Sequence, residues 1–202
     1  MKYNITVIIP YKEDRGWLKE AIASVPKDVQ LIVSQGDGNW PQNFNKALPR
    51  ATGDYIKYLH EDDLIPGDSL RYAAEEIYET GVDFLHGNAW EFYGNSDTNN
   101  FYVPKIATPT FAQLMKHNVI HSATTMYRRD VFEKVGLFNE DPKMYSFEEY
   151  EFNLRCLKAG LKIGYLCLPL GKYRRHPKQI IRTVDKQMRN INREEMLRNM
   201  IV

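Results

Sequence analysis

Short β-branched runs alternate with stretches of helical period along the first 66 residues. Ile5 to Ile9 is such a run, stopped by Pro10, and it predicts a buried parallel strand. After the polar loop from Tyr11 to Gly16, Leu18, Ile22 and Val25 recur at helical spacing up to Pro26. Val29 to Val33 repeats the buried-strand pattern and breaks into Ser34-Gln35-Gly36-Asp37-Gly38-Asn39. Pro41 suits the first turn of a helix that runs to Leu48. From Asp54 to His60 the chain sets Tyr55, Lys57 and Leu59 against Ile56 and Tyr58, which predicts a strand buried on both faces. Strand, helix, strand, helix, strand is a βαβαβ unit with right-handed crossovers.

Downstream, Leu70, Ala73, Ala74, Ile77 and Tyr78 mark an amphipathic helix over Asp68 to Thr80, with Gly81 as a left-handed cap. Val82 to Leu85 reads as a fourth buried strand. Ala89 to Tyr93 and Phe101 to Val103 flank the turn-rich Gly94 to Asn100 and predict a hairpin. A short helix near Thr110 to Lys116, a strand from His121 to Tyr127 and a helix from Arg129 to Val135 follow. Phe138 to Phe147 has no period and reads as a mobile loop. Glu148 to Ala159 is helical, and Ile163 to Leu168 and Lys172 to Arg174 are two more strands. In the tail from Ile180, one stripe of Val184, Met188 and Ile191 shifts phase to Leu197, Met200 and Ile201. It reads as a surface helix or an oligomer contact before a membrane-lying helix. No repeat or linker divides residues 1–202, so the expectation is one α/β domain, a mostly parallel central sheet flanked by helices.

Composition narrows the function classes. A net charge of +1 gives no electrostatic case for nucleic acid as a partner. The 13 tyrosines against 9 phenylalanines suit amphipathic groove walls. Cys156 and Cys167 each fall in an apolar run and read as buried free thiols of a reducing compartment. The opening residues are too short and alternating for a signal peptide, and no apolar run approaches the ~18 residues of a membrane span. A soluble, cytoplasmic protein is expected.

The candidate chemistry begins at Glu61-Asp62-Asp63, three carboxylates delivered at the carboxyl end of a strand, where open α/β sheets bind ligands. They repel one another unless a cation sits among them, and magnesium or manganese would take such oxygens together with substrate phosphates. A solvated acidic turn before the helix near Gly67 satisfies the same residues. Glu148, Glu149 and Glu151 open a helix, where they complement its dipole. His176 lies on a basic turn with Arg174, Arg175 and Lys178, either a surface turn or one that neutralises a diphosphate or an anionic acceptor. Trp17 and Trp40 read as core or crevice wall, and His121 as structural.

Fragments in a fixed order carry a resemblance: Val-Ile-Ile-Pro-Tyr at 7–11, an acidic loop after the second strand, Ala-Thr-Gly-Asp-Tyr-Ile at 51–56, Leu-His-Glu-Asp-Asp-Leu-Ile-Pro at 59–66, and a second-half set. That set is the segment 122–140, Glu148-Glu149-Tyr150-Glu151 and Tyr173-Arg174-Arg175-His176. Over residues 4 to 177 the chain resembles a family-2 glycosyltransferase with the GT-A fold. The resemblance implies an inverting, metal-dependent transfer of a sugar from a nucleoside diphosphate, UDP-linked, to an acceptor hydroxyl of a glycan, lipid or protein. It implies a nucleotide-sugar half over 1–100, an acceptor and catalytic half over 101–179 and a helical tail over 180–202. Pro10, Tyr11, Glu13 and Asp37 would hold the nucleotide, with His60 and Glu61 beside them. Asp62 and His176 would hold a divalent metal, manganese or magnesium. Glu149 would be the general base, with Glu148 next to it on the acceptor and Trp90 as a sugar platform on the acceptor side. The chain departs from the family pattern at His60 and Glu149, where aspartate is usual, and in the loop around Asp37, which lacks paired aspartates. Two other readings remain: a catalytically silent nucleotide-sugar-binding module, and a nucleotidyltransferase, whose basic glycine-rich loop is missing.

Overall fold

The computed structural model describes residues 3–93, 99–179, 182 and 184–201. Strand β1 (Ile5–Tyr11) runs between β2 (Gln30–Gln35) and β3 (Tyr55–Tyr58), parallel to both. Pro10 does not end β1, as the sequence led one to expect. The Ile8 carbonyl accepts from the Leu59 amide, so even positions of β1 face β3. Pro10 therefore turns its missing N–H past the last β3 pairing, Ile8 with Tyr58, where no ladder bond is lost.

Alternation along these strands sorts the core into two layers. Ile5, Val7 and Ile9 face α1 (Leu18–Ser24) and α3 (Ser69–Thr80), packing on Ala21, Leu70, Ala73, Ala74 and Ile77. Ile8, Ile32, Ile56 and Tyr58 face the opposite way, onto Trp40 and Phe44 of α2 (Trp40–Ala47). The start of α2 is fixed locally: Asn39 caps the Gln42 amide and Gln42 returns to the Asn39 amide. Gly81 closes α3 in the left-handed region, at φ 66, as its position predicted.

Beyond β3 the sheet turns antiparallel. β6 (Met126–Arg128) pairs with β3 and with β4 (Phe84–Tyr93). β4 pairs antiparallel with β5 (Asn99–Tyr102) and parallel with β7 (Ile163–Arg175). β6 and β5 thus share one edge of β4 while β7 runs along the other. The order is β2-β1-β3-β6-β4-β5, a single mixed sheet whose parallel pairing is confined to β1–β3 and to β4 with β7. The hairpin is present, and its turn, 94–98, lies outside the described residues. Helices α4 (Phe111–Lys116), α5 (Asp130–Val135), α6 (Glu148–Lys158) and α7 (Lys186–Ile201) complete the chain.

Three expectations are corrected by long-range packing. The strand predicted from His121 is a 3-10 turn, Ser122–Thr124, before the short β6. The two strands predicted at 163–168 and 172–174 are one, β7, bent where its register against Gly87, Asn88 and Ala89 shifts. The segment 138–147 is anchored rather than loose: Phe138, Met144 and Phe147 are buried, and Asn45 bonds both the amide and the carbonyl of Phe138. Of the thiols, Cys156 is buried as expected, but Cys167 is exposed; both are free. In the tail, Met196 and Met200 pack beside Leu114 and Leu154, while Met188 and Ile191 stay exposed. No helix among the described residues is long and apolar enough to cross a membrane.

Candidate active site

The carboxyl end of β3 releases the chain into His60, Glu61, Asp62 and Asp63, and all three of those carboxylates are buried. Asp62 and Asp63 are 7% and 1% exposed, which removes the reading of a solvated turn. Asp63 points into the fold, where its Oδ1 accepts from the Arg174 amide of β7 at 2.9 Å. Burial, and then the neighbouring Asp62, push its carboxyl well above the usual range. Asp62 points the other way. Its Oδ2 lies 2.8 Å from His176 Nε2 and accepts from Arg15 Nη2 at 3.0 Å. Burial works to raise Asp62, but the His176 bond and the charges of His60 and Arg15 hold it below its ordinary value. Arg15 also donates through Nε to Glu61 at 2.5 Å. Burial and then Asp62 raise the Glu61 carboxyl, against the pull of Arg15. The His176 ring is clamped by Trp17, 4.2 Å between centroids, and its Nδ1 is buried without a partner.

Facing this turn is the start of α6. The chain enters α6 through Ser146 at φ 74, a conformation uncommon outside glycine and asparagine. That entry buries Glu148 and Glu149, at 2% and 9% exposure. Glu149 Oε1 lies 2.9 Å from His60 Nε2. Burial alone would lower the His60 imidazole, but the bond and charge of Glu149 raise it to about 9. Glu148 is pushed up to about 8 by burial and then by Glu149. Beneath them Lys57, 1% exposed, donates to the Ala123 carbonyl at 2.7 Å, and burial lowers its ammonium to about 7.

His60, Asp62, Glu148 and Glu149 line one cleft of about 650 Å³, with Arg15, Trp40, His121 and Arg175 among the other walls. His176 reaches it through Asp62. Glu91, in the same cleft, is held down to about 2 by His121, against burial, and by Arg175. The remaining predicted residues are spread out. Pro10 is buried at the end of β1, and the Tyr11 carbonyl accepts from the Gly36 amide at 3.2 Å and from Asn43 Nδ2 at 3.0 Å. Asp37 is exposed in a separate depression of about 550 Å³ with Asn43, Lys46 and Glu140. Glu13 is exposed in the loop after β1. Trp90 does not line the cleft: Glu91 turns into it, so the next side chain on β4 turns away, and Trp90 packs on Phe101 at 4.5 Å.

Sequence reasoning missed Arg15 and Asn43. Arg15 lies in a polar loop with no periodic signal. Asn43 ties Tyr11, Gly36 and Gly38 together by three bonds from one amide, and Gly36 leaves it room: a Cβ there would lie 2.2 Å from Asn43 Oδ1.

A βαβαβ half joined through antiparallel β6 to a second half that supplies its own carboxylates defines the GT-A class of fold. The family model for glycosyl transferase family 2 matches residues 17–136, more than half of the chain, and the chain belongs to that family. It is 24% identical over 162 residues to the uncharacterized glycosyltransferase EpsJ of Bacillus subtilis (strain 168), covering 74% of this chain and 46% of EpsJ. It is 25% identical over 135 residues to an uncharacterized glycosyltransferase of Haemophilus influenzae, covering 65% of this chain and 50% of that protein. The chain thus spans about half the length of these curated relatives. Among solved structures, TarS of S. aureus (residues 1–349) in complex with UDP-GlcNAc superposes with a TM-score of 0.69 at 16% identity, over 98% of this chain and 71% of that one. GalNAc-T7 with UDP, GalNAc and Mn2+ superposes at 0.61 with 12% identity, over 86% and 44%. At these identities the likeness is one of fold.

Proposed function

We propose that the chain is an inverting, divalent-metal-dependent glycosyltransferase that moves a sugar from a UDP-linked donor to an acceptor hydroxyl. The observation that carries this reading is the meeting of Asp62 with His176, and of Glu149 with His60, in one cleft at the end of β3. The relatives' names and the UDP-sugar in the TarS complex support it. Both cysteines are free, the state a reducing compartment maintains, and a cytoplasmic location is part of the proposal.

The donor set suits a hard cation. Asp62 Oδ2 and His176 Nε2 stand 2.8 Å apart, a carboxylate and an imidazole that would be the groups to hold a divalent ion. No group of three or more histidine, cysteine or acidic side chains is poised for metal among the described residues. Asp62 and His176 would therefore hold manganese or magnesium together with the donor's phosphates. Once bound, the ion would supply positive charge to the departing diphosphate.

The chain's own groups do the rest. Arg15, from the loop after β1, offers further positive charge at the same place. Glu149 takes the proton of the acceptor hydroxyl as attack proceeds, on the face opposite the leaving group. His60 holds that carboxylate in place. The ends of β1 and β2, with Tyr11 and Asn43 braced on Gly36, form the wall against which the nucleotide would lie. Thermal shift with UDP, GDP and TDP, each with manganese, tests the reading. UDP at 100 times its dissociation constant should add ~2.7 kcal/mol of stability. No shift with any of them overturns it. If UDP binds but no sugar is transferred or hydrolysed from a donor panel, the reading becomes that of a silent binding module.

A further inference from the structure

The cleft carries more positive charge than its own carboxylates use. Arg15 is engaged by Glu61 and Asp62, His60 by Glu149, and Arg175 by Glu91. Two cleft-lining arginines are left, Arg189 and Arg193, both on α7. A spacing of four places them one turn apart on the same helix face. Arg189 makes no side-chain hydrogen bond or ion pair among the described residues. Its guanidinium sits 5.4 Å from the centre of the Phe147 ring, and its Nε is buried and unsatisfied. Arg193 reaches the Lys116 carbonyl only at a long 3.4 Å and lies beside the Tyr150 hydroxyl. The one carboxyl on this wall outside an ion pair, Glu148, is pushed up to about 8 by burial and by Glu149, so it offers no counter-ion at neutral pH.

A desolvated guanidinium nitrogen without an acceptor is unfavourable, and an oxyanion placed there relieves it. The position decides whose oxyanion it is. α7 packs through Met196 and Met200 on Leu114, Tyr150 and Leu154, on the α6 side of the cleft. The nucleotide wall and the Asp62–His176 pair lie on the β1 and β3 side. Phe147 and Tyr150, the two rings beside these arginines, bracket Glu148 and Glu149 in the chain.

We infer that Arg189 and Arg193 form a subsite for an anionic group of the acceptor, a phosphate or a carboxylate near the hydroxyl to be glycosylated. This assignment rests on the transferase reading for the word acceptor, and on the arginines alone for the anion. It implies that neutral sugars are poor acceptors and that a sugar or polyol bearing phosphate or carboxylate is a good one.

Titration of the full chain with glycerol 3-phosphate and with glucuronate, against neutral glycerol and glucose, tests it by NMR. Each series is run with and without saturating UDP and manganese, which cover the donor end. The expected result is that at least one anion binds ten-fold or more tighter than its neutral counterpart. That preference should be lost in Arg189→Gln/Arg193→Gln and partly kept in Arg189→Lys/Arg193→Lys. Arg189→Gln alone, which removes no hydrogen bond, serves if the double variant does not fold. The stronger of the two anions tells phosphate from carboxylate. Anions that bind no tighter than neutral compounds, or equally well without the arginines, overturn the subsite. UDP affinity in the same samples reports separately on the donor reading, so either can fail without the other.

Discussion

Glu149 Oε1 stands 2.9 Å from His60 Nε2, across 89 positions of chain. The two positions at which the chain departs from the pattern the resemblance implies therefore meet each other in the cleft. The His60 contact fixes the Glu149 carboxylate at the end of β3. Glu149→Gln should lower turnover by ~10²- to 10⁴-fold while leaving UDP affinity within about three-fold. His60→Asp restores the family triplet but sets a second carboxylate against Glu149, and turnover should fall. The double variant His60→Asp/Glu149→Asp should recover part of that loss. Losses that simply add would show the two positions to be independent.

Asp62 and Asp63 are neighbours with opposite duties, because the turn sends one into the cleft and the other under it. Asp62→Asn should reduce transfer by 10²-fold or more, on the order of one lost charge stabiliser, with little change in urea unfolding. Asp63→Asn keeps an oxygen for the Arg174 amide and should remain folded. Asp63→Val removes the acceptor for that buried N–H and should lower stability by ~2–4 kcal/mol. The check is a pair of denaturation curves beside a pair of rate measurements. A rate defect without a stability defect in Asp63→Val would reverse the assignment.

How far these roles could be read from the chain depends on how local their causes are. Ile5 to Ile9, Val29 to Val33 and Pro41 act over a few residues, so the strands and a helix starting near Pro41 were legible. Glu61 to Asp63 stand out in the sequence because three carboxylates at a strand end demand compensation, which Arg15, His176 and the Arg174 amide supply. Phe138 was not legible as core, since its burial comes from Phe44 and Phe152 at 4.9 and 4.5 Å, on two different helices. The continuity of β7 depends on a register shift against Asn88, which no property of Pro169 or Gly171 announces. Trp90 was misplaced because the face of a strand is fixed by what its neighbours pair with, here Glu91 with Arg175 and His121. Arg15 acquires its role only when the fold brings its loop to Glu61 and Asp62.

The pH dependence of stability should carry a signature of Glu148. Its folded-state carboxyl titrates near 8, above the ordinary 4.5, so the native chain holds a proton there that the unfolded chain has lost. Between about pH 4.5 and 8 the native state binds more protons, and stability from this group falls as pH rises through that window. Lys57, lowered to about 7, contributes in the opposite sense above pH 7, so the group must be isolated by difference. Glu148→Gln should match the wild type below pH 4.5 and be the more stable by on the order of 2–4 kcal/mol at pH 8. Melting curves of both proteins from pH 4 to 9 decide it. A gap that stays constant across the range would mean that Glu148 titrates normally.

Arg15 and a divalent cation want the same oxygen. The guanidinium donates to Asp62 Oδ2 at 3.0 Å, the atom that also meets His176 Nε2. A unit charge about 5 Å from a divalent ion, at an effective dielectric near 20, would oppose it by roughly 7 kcal/mol before screening by solvent and salt. Arg15→Gln should therefore tighten manganese binding to the nucleotide-free protein by about ten-fold, the part of that repulsion that survives screening. The same substitution removes positive charge from the place where the diphosphate would lie, so UDP affinity at saturating manganese should weaken. The two effects have opposite signs and separate electrostatic competition from simple damage to the cleft, which would weaken both. Manganese titration followed by electron paramagnetic resonance, with a UDP titration on the same variant, reads the two signs directly.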